Sequence, residues 1–213
     1  LRLGGRTGIG KTILLQQLPA ALDLENLAWH RGSAFGRHAT PQPTQVDFEN
    51  RLAVALLKHE ARGNPPLIVE DEGRAIGSVH VPHPLYERFR QSPLVILSAT
   101  LEERVANTRR EYVDEALAEY RRRHGAKDGF DRWASCLLDS LDRIRRRLGG
   151  ARHKALRAVM ERAVAVHRER GDTGRHAEWI ERLLVDYYDP MYDYQIARNA
   201  GQVVFEGDAA AVR

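Results

Sequence analysis

The stretch Gly5-Arg6-Thr7-Gly8-Ile9-Gly10-Lys11-Thr12 sets glycines, one lysine and one threonine at the spacing G-x-x-x-x-G-K-[ST]. Glycines allow backbone angles at which successive amide N–H groups turn inward, so this segment is predicted to be an anion nest opening a helix. In such a nest Lys11 sets a point charge against terminal phosphates, and the Thr12 hydroxyl ligates Mg2+. Gly5, Arg6, Thr7, Gly8 and Gly10 supply the rest of the cradle, and a di- or triphosphate is the ligand it suits.

A phosphate loop usually works with a carboxylate at the end of an apolar strand, which holds Mg2+ or its water. "EDEGR" (Glu70–Arg74) follows such a run, and Glu70 or Asp71 could take that role. Alternation along an extended chain puts Glu70 and Glu72 on one side and Asp71 on the other. Open parallel sheets bind ligands at the carboxyl ends of their strands. "HRGSAFG" (His30–Gly36) is therefore expected at the same crevice, with Arg31 and Ser33 as candidate catalytic residues. His30 is a candidate for acid–base chemistry. Gln42, Gln45, Glu49 and Asn50 read as contacts that organise the loop. Arg104, Arg109 and Arg110, in "LEERVANTRR", are candidates for stabilising phosphate charge.

The elements that must position these groups read as α/β. Leu1–Leu3 form a strand stub before the loop, and Thr12–Leu18 the helix after it, stopped by Pro19. "NLAWHR" (Asn26–Arg31), "LIVE" (Leu67–Glu70), "LVILSA" (Leu94–Ala99) and "QVVFEG" (Gln202–Gly207) are strand candidates, and Asp47 is the expected cap of a helix reaching about Ala61. "NPP" ends that helix. Continuous apolar strands separated by helices predict a parallel sheet covered on both faces, a P-loop NTPase-like core over residues 1–120. Three apolar stripes at helical spacing predict a helical subdomain over 121–186: Leu137 to Leu148, Leu156 to Val164, and Ala177 to Leu184. Residues 187–213 return to the core.

The chain has 213 residues, 43% hydrophobic and 29% charged, with a net charge of +4. That composition is globular, and no apolar run reaches the ~18 residues a membrane span needs. One cysteine, Cys136, excludes an intrachain disulfide and thiolate clusters, so a cytoplasmic setting is expected. Cys136 itself reads as a packed small hydrophobe. From Arg121 to Arg170 there are 15 Lys and Arg against 6 Asp and Glu, a net +9 that leaves −5 elsewhere. Charge concentrated in this way points to nucleic acid. Arg143, Arg145, Arg146, Arg147, Arg152 and Lys154 are the candidate contacts.

Five stretches together resemble one family: GRTGIGKT (Gly5–Thr12), DLENLAWHRGSAFG (Asp23–Gly36), QPTQVDFEN (Gln42–Asn50), VEDEGRAIG (Val69–Gly77) and YYDPMYDYQ (Tyr187–Gln195). The chain is similar to the carboxy-terminal P-loop domain of bacterial tRNA 2-selenouridine synthases. Ile9, Ala34 and Gly73 stand where that pattern has serine. The resemblance implies an enzyme that converts wobble 2-thiouridine of tRNA to 2-selenouridine through an S-geranylated intermediate, using geranyl diphosphate and selenophosphate. It also implies an N-terminal rhodanese-like domain ahead of this one; the stretch before Gly4 suits a chain cut from a longer one. On this reading the loop holds ATP or GTP, or geranyl diphosphate, with Mg2+. Phe35 and Trp29 are then expected to line a pocket for the prenyl tail, and Trp133, Tyr187, Tyr188 and Tyr192 to stack on unpaired bases. A free-standing P-loop kinase of a small metabolite or nucleotide is the alternative.

Overall fold

The computed structural model describes residues 1–18, 21–63 and 66–212. The expected stop at Pro19, and Asn64 and Pro65 of "NPP", lie outside the described residues.

Five strands form one parallel sheet in the order β2 (Ala21–Leu22), β3 (Ile68–Glu70), β1 (Arg2–Gly4), β6 (Leu94–Leu97), β7 (Val203–Gly207). Strand β1 is central, with Leu3 registered to Glu70 on one side and to Val95 on the other. Its side chains are buried throughout, including Arg2. The Arg2 guanidinium donates to Asp71 Oδ1 at 2.5 Å, to the Ser92 carbonyl at 3.2 Å and to Gln202, which ties three strand ends together. This is a P-loop NTPase-like α/β fold, with the glycine loop leaving the carboxyl end of the central strand.

The expected strand at Asn26–Arg31 is instead a five-residue helix, α2 (Leu24–Ala28), after the short helix α1 (Lys11–Leu15). Asp23 caps α2 by accepting the Asn26 amide at 2.8 Å, and Trp29 ends it with a left-handed φ of 54°. Its apolar residues read as a strand because Leu24, Leu27 and Ala28 face one cluster from a single turn. Helix α3 (Gln45–Glu60) is capped by Thr44, whose hydroxyl accepts the Asp47 amide, so Asp47 sits inside the first turn rather than at the cap. A small antiparallel hairpin, β4 (Ala75–Ile76) with β5 (Val79–His80), leads to α4 (His83–Arg90).

The remaining helices are α5 (Leu101–Arg109), α6 (Ala116–His124), α7 (Ala126–Arg143), α8 (Arg145–Leu148), α9 (Gly150–Arg170), α10 (His176–Leu183) and α11 (Asp189–Asn199). A π-helical turn at Arg110–Glu115 joins α5 to α6, and another at Leu184–Tyr188 joins α10 to α11. Their apolar stripes close a single cluster running from Tyr112 to Tyr188, which also takes in Phe35. Trp133 is 1% exposed and its indole N–H donates to the Tyr112 carbonyl at 3.0 Å. It is a core residue and offers no face to a base. Tyr188 is likewise buried. Among the described residues, no helix is long and apolar enough to cross a membrane.

Candidate phosphate-binding cleft

Gly5 and residues 7–13 form one wall of a cleft of about 860 Å3 at the carboxyl end of the sheet, and Arg6, expected in the cradle, does not line it. Two side chains of α5 hold the loop's shape. Arg104 Nε donates to the Thr7 carbonyl at 3.0 Å, and Asn107 Nδ2 to the Gly8 carbonyl at 3.1 Å. In a trans peptide N–H opposes C=O, so these bonds turn the Gly8 and Ile9 amides away from α5. Gly8 has φ +79°, and a Cβ there would lie 2.4 Å from Thr108 Oγ1 and 2.7 Å from the Arg104 carbonyl. Only glycine lets the loop lie this close to α5. The Gly5 amide donates to the Tyr192 hydroxyl, and Lys11 Nζ donates back to the Gly5 carbonyl at 3.2 Å.

Facing Lys11 is a set of carboxyl groups on α2 and on the segment after β3. Burial alone would weaken the charge of Lys11, but Glu72 first, then Tyr192, Glu25 and Glu70 outweigh it and raise its pKa. Lys11 is a firm cation. The carboxyls answer in the opposite direction. Burial, then Glu72 and Glu70, push Glu25 well above the usual range, and burial raises Glu72 against the pull of Lys11. Gly32 packs against this pair so closely that a Cβ would overlap Glu25 Oε1, at 2.0 Å.

Of the two expected metal-side carboxylates, Asp71 borders the cleft and Glu70 does not. Glu70 is 2% exposed and lies beneath it, with Oε2 accepting the Glu25 amide at 3.1 Å and Oε1 without a hydrogen-bond partner among the described residues. Burial, then Asp23 and Glu72, raise its pKa to about 8, so it is mostly a neutral acid at pH 7. Strand β3 ends at Glu70, which frees the next two residues from strict alternation and turns both Asp71 and Glu72 to the cleft. Thr12 is on the same wall. These are oxygen donors of the kind Mg2+ takes, although Asp71 already accepts from Arg2. Among the described residues, no three His, Cys, Asp or Glu side chains converge to hold a metal by themselves.

The arginines differ most from expectation. Arg104 is 3% exposed and grips Asp189 with both terminal nitrogens, at 3.0 and 2.5 Å. Arg109 donates to Thr173 Oγ1. Neither is available to a phosphate, because each bridges α5 to another part of the helical layer. Arg110 does border the cleft, near Asn107 and Glu115. Arg6 pairs with Asp193 at 2.6 Å. Arg31 lines the cleft, yet its guanidinium lies 3.2 Å from Glu119 and 3.7 Å from Glu111. Ser33 accepts the Phe35 amide at 3.1 Å and meets the Tyr112 hydroxyl at 2.9 Å, shaping the loop that carries it. His30 is buried, and desolvation, then His38, Arg37, Arg31 and Arg143, lower its pKa to about 4. It is neutral at pH 7. Gln42 bonds the Ala28 and Ile76 carbonyls and the Ser78 amide, and so organises the loop.

The expected pocket between Phe35 and Trp29 is absent from this arrangement. Trp29 borders the cleft and stacks on His38 at 4.1 Å, whereas Phe35 turns inward against Trp179. Phe35 borders a separate apolar void of about 20 Å3 next to Thr7, too small for a prenyl chain. The sequence reading does not single out Glu25 and Asn107 in the cleft or Asp189 behind the loop, and Tyr192, expected to stack on a base, instead accepts from the Gly5 amide. Asn107 lies one helical turn from Arg104, and the tyrosine and aspartate belong to YYDPMYDYQ, which holds the loop through Arg6, Gly5 and Arg104.

Of the expected nucleic-acid contacts, Arg145, Arg146, Arg152 and Lys154 are exposed on α8 and α9, and Arg147 borders the cleft. Arg143, on α7, bonds the Ala34 carbonyl at 2.8 Å. Cys136 is partly buried against the helical cluster.

The family described as the tRNA 2-selenouridine synthase AAA domain matches residues 1–213. The chain belongs to this family. It is 51% identical to the tRNA 2-selenouridine synthase of Hahella chejuensis over 99% of its own length and 56% of that protein. Against the synthases of Bordetella petrii and Cupriavidus pinatubonensis it is 50% identical, covering 99% and 100% of this chain and 56% and 58% of theirs. The chain therefore spans little more than half the length of the curated relatives it matches. No solved structure matches. These comparisons give the metabolite-kinase alternative no support.

Proposed function

We propose that this chain is the phosphate-binding and tRNA-binding part of a tRNA 2-selenouridine synthase, which replaces the sulfur of wobble 2-thiouridine with selenium. The observation that carries the reading is the glycine loop with Lys11 opening into a cleft wide enough for a diphosphate and a nucleoside together. The ligand is a magnesium-bound diphosphate group. Lys11 supplies its fixed positive charge, the Gly8 to Thr12 backbone its hydrogen bonds, and Thr12 with Asp71 the protein side of the Mg2+ site. Mg2+ held there would supply charge neutralisation for a diphosphate leaving group. Glu72 and Glu25 hold Lys11 in place, and Arg31 and Ser33 shape the margin where the nucleoside enters.

Geranyl diphosphate is the substrate to which this site is assigned, with the exposed apolar Ile13 and Met191 at the cleft edge facing its chain. ATP or GTP is the second reading, favoured by the carboxyl-rich wall of Asp23, Glu25 and Glu72, which suits ribose hydroxyls. Selenophosphate and a rhodanese-like N-terminal domain belong to the whole enzyme, in the cytoplasm. Calorimetric titration with each ligand in Mg2+ separates the readings. Geranyl diphosphate is expected to bind, to lose at least tenfold in affinity with Lys11→Ala, and to be unmoved by excess ATP or GTP at the same site. Binding of a nucleotide alone would transfer the site to the second reading.

A further inference from the structure

A second concavity, of about 670 Å3, opens on the other side of the segment that walls the phosphate cleft. Arg31, Ser33 and His38 face the cleft, whereas Arg37, Ala39 and Pro41 face this groove. Its floor is one stripe of α7, where Asp128, Arg132, Ser135, Asp139 and Arg143 recur every three or four residues. Arg123 and His124, from the end of α6, form the far wall.

Four arginines thus face one groove: Arg37, Arg123, Arg132 and Arg143. Three of them, Arg37, Arg123 and Arg132, are exposed and make no ion pair among the described residues. Arg143 is held against them by bonds to Ala34 and Ser140. Burial and the proximity of Arg37 lower its pKa against the opposing pull of Asp139, so two like charges are kept close together in the groove. The groove also carries Asp128 and Asp139 on the same stripe, and Asp131, which pairs with Arg168 at 2.6 Å. A purely basic surface suits any polyanion. Arginines interleaved with carboxylates suit unpaired nucleotides better, because arginines take phosphates and carboxylates accept from base amino groups.

We propose that this groove seats a short single-stranded segment of tRNA and directs it over residues 37–41 into the phosphate cleft. Glu119 keeps the two openings in register, since it accepts from Arg31, His38 and the Ala39 amide while its neighbour Tyr120 lines the groove. The proposal rests on the tRNA reading above and adds a place for the RNA that the exposed arginines of α8 and α9 do not provide.

The test is tRNA binding by this chain across a salt series, with Arg37→Glu/Arg132→Glu beside Arg88→Glu, an exposed charge on α4 outside the groove. Thermal unfolding checks that each variant is folded. The double variant is expected to lose at least tenfold in affinity and to flatten the salt dependence by about 0.7 per lost phosphate contact. The Arg88 variant and the binding of geranyl diphosphate should not change. Cys136, the only cysteine and part of the groove, gives a second readout. Its alkylation should slow when tRNA is bound to the wild type. Wild-type affinity in the double variant, with Cys136 unprotected, overturns the groove and leaves the tRNA reading standing. Absence of tRNA binding by the wild type overturns both.

Discussion

Arginines near the phosphate loop and arginines on the helical layer lead opposite lives in this molecule. Arg2, Arg6, Arg31 and Arg104 each meet a carboxylate, at 2.5, 2.6, 3.2 and 2.5 Å. Arg37, Arg123 and Arg132 make no such pair among the described residues, and Arg145 and Arg146 stand exposed on α8. The first group makes a rigid frame around the loop that presents Lys11. The second group makes a surface with charge to offer. Proximity to a phosphate loop is therefore a poor guide to which arginine binds phosphate, and pairing is a better one.

The largest expected effect comes from breaking the frame. Arg104→Ala removes the two short bonds to Asp189 in a largely buried site, leaving it only the more distant Arg6 at 3.7 Å, and frees the Thr7 carbonyl, which should cost about 3 kcal/mol of stability by chemical denaturation. A loss under 1 kcal/mol would remove Arg104 from the frame.

Next is Glu70, whose carboxyl is a neutral acid in the fold. Its pKa is raised above the unfolded value of 4.5, so its stabilising effect is complete below pH 4.5 and is lost as pH rises through about 8. Glu70→Gln should be more stable than wild type at pH 9 by on the order of 3 kcal/mol, and nearly equal at pH 4. Equal behaviour at both pH values would mean that Glu70 titrates as a solvated carboxyl.

The helical layer should fail at the other end of the pH scale. The Trp179 indole donates to His176 Nδ1 at 2.8 Å, which leaves the proton of His176 on Nε2, aimed at His167 Nδ1 at 3.1 Å. Burial, then His167, lower the His176 pKa to about 4 from 6.5. Its contribution is present above pH 6.5 and disappears as pH falls through 4. Urea denaturation should show wild type losing on the order of 2 kcal/mol more than His176→Gln between pH 7 and pH 4. The smallest effect belongs to the free arginines. Arg145→Glu and Arg146→Glu should each change stability by less than about 0.5 kcal/mol while weakening tRNA binding at low salt. A larger stability change would mean that these charges belong to the frame.

Much of the fold could be read from the sequence. The glycine loop and the apolar runs at Ile68–Glu70 and Leu94–Leu97 announce a parallel sheet because inner strands carry no polar alternation, whereas Val203–Gly207 is an edge strand whose Val204 and Phe205 are exposed. The misreading of Asn26–Arg31 has a local cause: a one-turn helix shows too few residues for its period to differ from a strand's. The hairpin at Ala75–His80 is shorter still. At the site, Lys11, Thr12 and Asp71 stand where the loop pattern implies, but the burial of Arg104 and Glu70 is set by partners 85 and 45 residues away. The π-helical turn at Leu184–Tyr188 helps bring Asp189 to Arg104, and nothing in the local pattern announces it.

The most direct measurement is a crystal structure of the chain with Mg2+ and geranyl diphosphate. The account predicts a phosphate within hydrogen-bond reach of Lys11 Nζ and the Gly8 to Thr12 amides, with Lys11 swung off the Gly5 carbonyl and Arg104 still on Asp189. A ligand bound elsewhere, or Lys11 still folded onto Gly5 at saturating ligand, would contradict it.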